Sequence, residues 1–161
     1  MTFDLHEKTA MITGASGGLG EQFARTLSAA GARVILVSRR INKLESLRDG
    51  LGNAVAMQMD VSQKQSVKSC FFELEQAGEK IDICINNAGI AALTPIFEED
   101  SQEEFESIIQ TNVLGVWCVT KAVANHMKRH HLHGSIINIG SVNGDVFPSK
   151  KSRLMQFQKP L

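Results

Sequence analysis

Eight residues near the start of the chain, Thr13-Gly-Ala-Ser-Gly-Gly-Leu-Gly20, have the composition of a phosphate-binding turn. Gly14, Gly18 and Gly20 let a backbone turn sharply, approach a pyrophosphate where a Cβ would collide, and pack a helix closely on a sheet. A helix beginning there offers free N–H groups and a partial positive charge to an anion, worth roughly 0.3–2 kcal/mol per favourable contact. The spacing is Gly-x-x-x-Gly-x-Gly rather than Gly-x-Gly-x-x-Gly, and the Lys-Ser/Thr ending of a nucleoside-triphosphate loop is absent. A tight connection has the same composition, so the flanking elements must decide.

Those elements alternate. Thr9–Thr13 is short, apolar and β-prone, and Glu21–Ala30 then carries Phe23, Leu27 and Ala30 at helical spacing before Gly31. Residues 33–37 form a continuous apolar run of the kind buried on both faces of a parallel sheet. A helix is predicted over 41–51, a strand over 54–59, a helix over 63–76 capped by Ser62 and stopped at Gly78, and a fourth strand over 81–85. A helix from Ser101, with Glu104 completing a capping box, a longer helix over 113–128 and a fifth strand over 135–139 follow. Strands alternating with helices over short connections predict an α/β, Rossmann-type doubly wound parallel sheet, ending after about the fifth strand.

Bulk properties narrow the function. The 161 residues carry 17 basic and 17 acidic side chains, so no global field attracts nucleic acid or anionic membrane. The N-terminus lacks a signal-peptide pattern and no apolar run is long enough to span a bilayer, which leads to the expectation of a cytoplasmic protein. Cys70, Cys84 and Cys118 each lie in apolar segments and read as buried, reduced packing residues. His126, His130, His131 and His133 invite a metal reading, His126 and His130 being one helical turn apart. With no acid or cysteine beside them in sequence, the expectation is no metal, only the basic end of a helix terminated by Gly134.

Taken in order, Thr13–Gly20, Asp60-Val61, Asn86-Asn-Ala-Gly89, Asn112 and Ile139-Gly-Ser141 resemble the motifs of the short-chain dehydrogenase/reductase family over about residues 6–148. The resemblance implies that Thr13, Gly14, Ser16, Gly18, Leu19 and Gly20 hold a dinucleotide. Asp60 would contact adenine with Val61 beside the ring, although a carboxylate after a strand is equally a helix anchor. Asn87, Ala88 and Gly89 would form a low wall beside the nicotinamide ribose, with Asn86 tying adjacent strands. Ser38-Arg39-Arg40 follows the second strand, where an NAD enzyme places a carboxylate on the ribose hydroxyls. Arg39 instead suits the extra phosphate of NADP, which makes NAD the less favoured cofactor.

In the family a serine, a tyrosine, a lysine and an asparagine act together, and the resemblance assigns Ser141 and Asn112 to two of these roles. The tyrosine and lysine are missing: the chain contains no tyrosine at all, and positions 154 and 158 hold Leu and Gln. Positioned acid/base catalysis contributes typically 10²–10⁴-fold, so the chemistry is expected to be impaired. The resemblance thus implies an NADP-dependent oxidoreductase for a small carbonyl or alcohol substrate. A non-catalytic nucleotide-binding module and an inactive fragment are the alternatives.

Residues 1–148 are expected to form the incomplete dinucleotide-binding domain, and 149–161 an aberrant or unstructured tail. Lys150-Lys151 is compatible with a run of adenines, and synonymous codons permit Tyr-Ala-Ile-Ser-Lys-Ala in another frame from Leu154. A truncated or frameshifted family member is therefore the expectation, with exposed apolar surfaces that favour homo-oligomers or aggregation. Sequencing the gene through and beyond Leu161 tests it: no Tyr-x-x-x-Lys in any frame would end the idea.

Overall fold

In the computed structural model, residues 4–91, 98 and 101–140 are described. Five strands, β1 (Thr9–Thr13), β2 (Arg33–Ser38), β3 (Ala54–Gln58), β4 (Ile83–Asn86) and β5 (Ser135–Asn138), form one parallel sheet in the order β3-β2-β1-β4-β5. The chain winds outward from β1 to β3, then returns to place β4 on the other side of β1. That reversal opens a crevice beyond the carboxyl ends of β1 and β4.

Strand alternation explains why the runs are apolar throughout. Ala10, Ile12, Val34 and Leu36 pack under helices α1 (Gly18–Ala29) and α2 (Ile41–Asp49). Met11, Ile35 and Val37 point the other way, into a core with Val67, Phe71 and Leu74 of α3 (Lys64–Gln76) and Val119, Val123 and Met127 of α5 (Val116–Arg129). Burying each large aliphatic side chain contributes about 1.5–3 kcal/mol, so the two-faced sheet is the main stabilising layer.

Several local expectations are corrected. α3 has Gln63, not Ser62, at its cap position, without a side-chain cap bond, because the Ser62 hydroxyl donates to Asp60 Oδ1 at 2.7 Å. α4 (Ser101–Ile109) is not separated from α5, since a π-helical turn over Gln110–Gly115 joins them into one rod. α5 ends at Arg129, one residue past the predicted limit, but its terminator is not Gly134: His131 takes the left-handed region at φ 53 and the Leu132 amide donates back to the Met127 carbonyl. Gly134 serves a close pass instead, for a Cβ there would lie 2.5 Å from the Asp82 carbonyl oxygen. The remaining strand limits shift slightly, β3 stopping at Gln58 and β4 starting at Ile83.

Candidate cofactor site

Thr13 ends β1 fully buried, beneath the crevice rather than lining it. Its Oγ1 accepts from the amides of Asn87 and Ala88, both at 3.0 Å, so the hydroxyl fixes the turn after β4 against β1. The Asn87 side-chain amide returns the tie by donating to the Thr13 carbonyl at 3.0 Å. Gly14 follows with φ 69, and a Cβ on it would stand 2.9 Å from Ala88 Cα. Gly20, already inside α1, has no room either: a Cβ would strike the Gly14 carbonyl and come within 2.6 Å of Asn87 Nδ2. The glycine spacing therefore packs the start of α1 directly on the β1 and β4 turns.

Above this layer lies a crevice of about 290 Å³. Gly14, Ser16 and Gly17 form its floor, Asn87, Ala88 and Gly89 one wall, and Asp60 and Val61 another. Ser38, Arg39 and Arg40 close the end nearest β2. Eight of the residues selected from sequence thus meet here: Gly14, Ser16, Arg39, Asp60, Val61, Asn87, Ala88 and Gly89. Gly18 and Leu19 do not line it, and Leu19 points to solvent with 62% exposure.

Arg40 was legible only as the second half of an Arg-Arg pair. Its Nε and Nη2 donate to Ser16 Oγ at 3.1 and 2.9 Å, drawing the guanidinium over the glycine turn. Arg39 is held through its backbone, whose carbonyl accepts from Gln58 Nε2, and both side chains are exposed. Asp60 anchors a turn, its Oδ1 accepting from the Ser62 amide and hydroxyl while its own amide donates to Ser66 Oγ. It meets the crevice and anchors the approach to α3 at once.

Asn112 sits in the π-helical turn. Its Oδ1 accepts from the Ile90 amide at 2.9 Å and its Nδ2 donates to the Ile90 carbonyl at 2.8 Å, so the side chain pairs with the backbone as a neighbouring strand would. Asn86 is buried and donates to Thr120 Oγ1 and Asn138 Oδ1, tying β4 to α5 and β5. Ser141, and positions 154 and 158, lie outside the described residues, as does the segment 149–161.

A cluster outside the crevice escaped the sequence. Glu75 of α3 meets His126 and His130, with Nδ1 of His126 at 2.9 Å and Nε2 of His130 at 2.8 Å, and Arg129 reaches the same carboxylate at 2.9 Å. No periodicity could reveal an acid 51 residues from its partner. These three donors hold Glu75 below the usual carboxylate range, the bond from His130 contributing most. Burial pushes the thiols of Cys70 and Cys84 up to about 12, which keeps both protonated and unreactive.

Comparison with known proteins fixes the lineage. The short chain dehydrogenase family model matches residues 8–152, nearly the whole chain. The chain belongs to the short-chain dehydrogenase family. Within that family it is 38% identical over 143 residues to nodulation protein G of a Rhizobium species, covering 88% of this chain and 58% of the relative. It is 35% identical over 155 residues to the NADP-dependent 3-hydroxy acid dehydrogenase YdfG of Escherichia coli, covering 91% and 62%. A gluconate 5-dehydrogenase from Burkholderia cenocepacia, solved with NADP and tartrate, superposes with TM-score 0.80 at 35% identity, covering 91% of this chain and 58% of that one. The chain thus spans about three fifths of the length of these family members. Among the described residues, no helix is long and apolar enough to cross a membrane.

Proposed function

We propose that the crevice binds NADP(H) in preference to NAD(H), as the cofactor half of an oxidoreductase for a small carbonyl or alcohol substrate. The observation that carries this reading is the exposed Arg39-Arg40 pair at the end of β2, with Arg40 drawn over Ser16. A guanidinium grips a phosphate through two parallel hydrogen bonds, and the crevice residues that follow β2, Ser38 to Arg40, include no carboxylate to hold ribose hydroxyls. Family members that bear NADP in their names support it. The glycine layer suits a dinucleotide, because Cβ atoms at Gly14 and Gly20 would collide with Ala88, Asn87 and the Gly14 carbonyl and push the start of α1 away from the turn that would meet the pyrophosphate. When bound, the nicotinamide cofactor supplies the hydride, and the residues of this chain position it: Asp60 and Val61 at the adenine end, Asn87, Ala88 and Gly89 along the ribose.

Ser141 is assigned the role of polarising the substrate carbonyl, and Asn112, whose side chain is hydrogen-bonded to the Ile90 backbone, that of supporting a proton-relay water. Because the 161 residues contain no tyrosine, the chain as given is assigned cofactor binding without hydride transfer above background. That favours the binding-module reading for this chain alone. Mixing it with NADPH and a panel of short 3-oxo esters and aldehydes while following nicotinamide absorbance tests the point. Turnover above the rate without protein would overturn it.

Phe105, Ile109, Val113 and Trp117 recur every four residues along the exposed α4–α5 rod, so we assign self-association to that stripe. Sedimentation of the wild type against a Trp117→Glu variant checks it, and an unchanged mass would refute it. Neutral charge argues against nucleic-acid and membrane partners, and the buried free thiols of Cys70 and Cys84 suit a reducing cytoplasm. Glu75, His126 and His130 bring ligand-type atoms within 4.8 Å of one another, but His126 spends Nε2 on the Ile81 amide and Nδ1 on Glu75, so we assign the cluster to hydrogen bonding rather than to a metal.

A further inference from the structure

We propose that His126 is a proton-operated latch: neutral, with its proton on Nδ1, it clamps the segment leading into β4 against α3 and α5, and protonation opens the clamp. The ring is fully buried, and both nitrogens are engaged in opposite senses. The Ile81 backbone amide donates to Nε2 at 3.2 Å, which makes Nε2 an acceptor and leaves the proton on Nδ1, where it donates to Glu75 Oε1. A second proton has no place to go. On Nε2 it would face the Ile81 N–H, setting donor against donor inside the core.

The charged and titratable groups facing this ring are Glu75 from α3 and Arg129 and His130 from α5. Phe71 of α3 presents an edge at 6.4 Å, and the His130 ring lies tilted at 4.4 Å. From the segment before β4 the ring meets a backbone amide. Burial is the leading cause holding His126 below the ordinary histidine range, and Arg129 and His130 add to it against the opposing pull of Glu75. Its contribution to stability is therefore complete above the unfolded-chain value of about 6.5 and is lost as pH falls through the lower folded-state value.

The position of the clamp gives it reach. Asp82, the next residue after Ile81, accepts from the Thr9 amide through Oδ2, donates its own amide to the Thr9 carbonyl, and accepts from the Ser135 amide. The starts of β1, β4 and β5 thus converge on one dipeptide, and His126 holds its first residue. Freeing Ile81 therefore loosens the start of β4, where three strands of the sheet are tied together.

Two measurements test the latch on the intact chain. Nitrogen-15 spectra of the histidine rings across a titration from about pH 8 to about pH 5 should show His126 as the Nδ1–H tautomer, neutral until the Ile81 amide loses protection, the two changes coinciding. Thermal melts over the same range should show Tm falling on acidification in the wild type, with at least half of that fall abolished in His126→Gln. Should that variant fail to fold, the wild-type spectra still decide. An Nε2–H tautomer, a ring that protonates while the Ile81 amide stays protected, or a His126→Gln variant with the wild-type pH slope would each overturn the proposal.

Discussion

The two ends of β4 are built on opposite plans. At its start the polar groups around His126 are paired within the protein: both ring nitrogens are engaged and Glu75 is held by three donors. At its far end, side chains are used to hold backbone in place, Thr13 against Asn87 and Ala88, and Asn112 against Ile90. That scaffolding leaves a floor of glycine backbone and two exposed guanidinium groups facing the crevice. A saturated polar cluster stabilises; a rigid frame around open donors binds. Damage at the first end should therefore show in stability, and damage at the second in ligand affinity.

The largest expected effect strikes both readouts. Gly20→Val puts a branched side chain against the Gly14 carbonyl and Asn87, and should reduce NADPH affinity by more than about 100-fold while costing on the order of 1–3 kcal/mol of stability. Calorimetry and urea unfolding measure the two; wild-type affinity would show that the turn is merely a connection. Next, Glu75→Gln should lower stability by about 1–2 kcal/mol near neutral pH while NADPH affinity moves less than about threefold. Because the folded-state value of Glu75 is depressed, its contribution is present above about 4.3 and lost below, so the variant should also show a shallower acid limb. An affinity loss as large as the stability loss would erase the contrast between the two ends.

The smallest effect is expected from Asn112→Ala. Losing two backbone-directed hydrogen bonds at an exposed side chain should lower Tm by a few degrees, about 1 kcal/mol, and loosen the segment after Gly89. Hydrogen exchange at the Ile90 amide reads it directly. Exchange as slow as in the wild type would place the anchor of that segment elsewhere.

How much of this was readable beforehand follows from distance along the chain. The apolar runs of β1 and β2 are buried on both faces, so their strand character is written locally, and the glycine turn sits between a strand and a helix that announce themselves. The motif residues at the carboxyl ends of β1, β2, β3 and β4 converge because a parallel sheet brings those ends together. The π-helical turn was invisible, since its partner is the Ile90 backbone 22 residues away. So was Glu75, whose role depends on how α3 and α5 pack. Ser62 was a reasonable cap by type, but the nearby Asp60 carboxylate takes its hydroxyl, a competition between two local motifs that composition does not resolve. Arg40 was overlooked beside Arg39 because adjacent side chains leave a strand end in different directions, and only the fold shows which one crosses Ser16.

The central claim is that the crevice is a site for a dinucleotide carrying an extra phosphate beside β2. Calorimetric titration of the wild-type chain with NADPH and NADH, repeated with the Arg39→Ala/Arg40→Ala double variant, tests it most directly. The account predicts NADPH binding at least about tenfold tighter than NADH in the wild type, a difference of about 1.4 kcal/mol, and loss of most of that margin in the variant. Equal affinities in the wild type, or a margin untouched by removing both arginines, would contradict it.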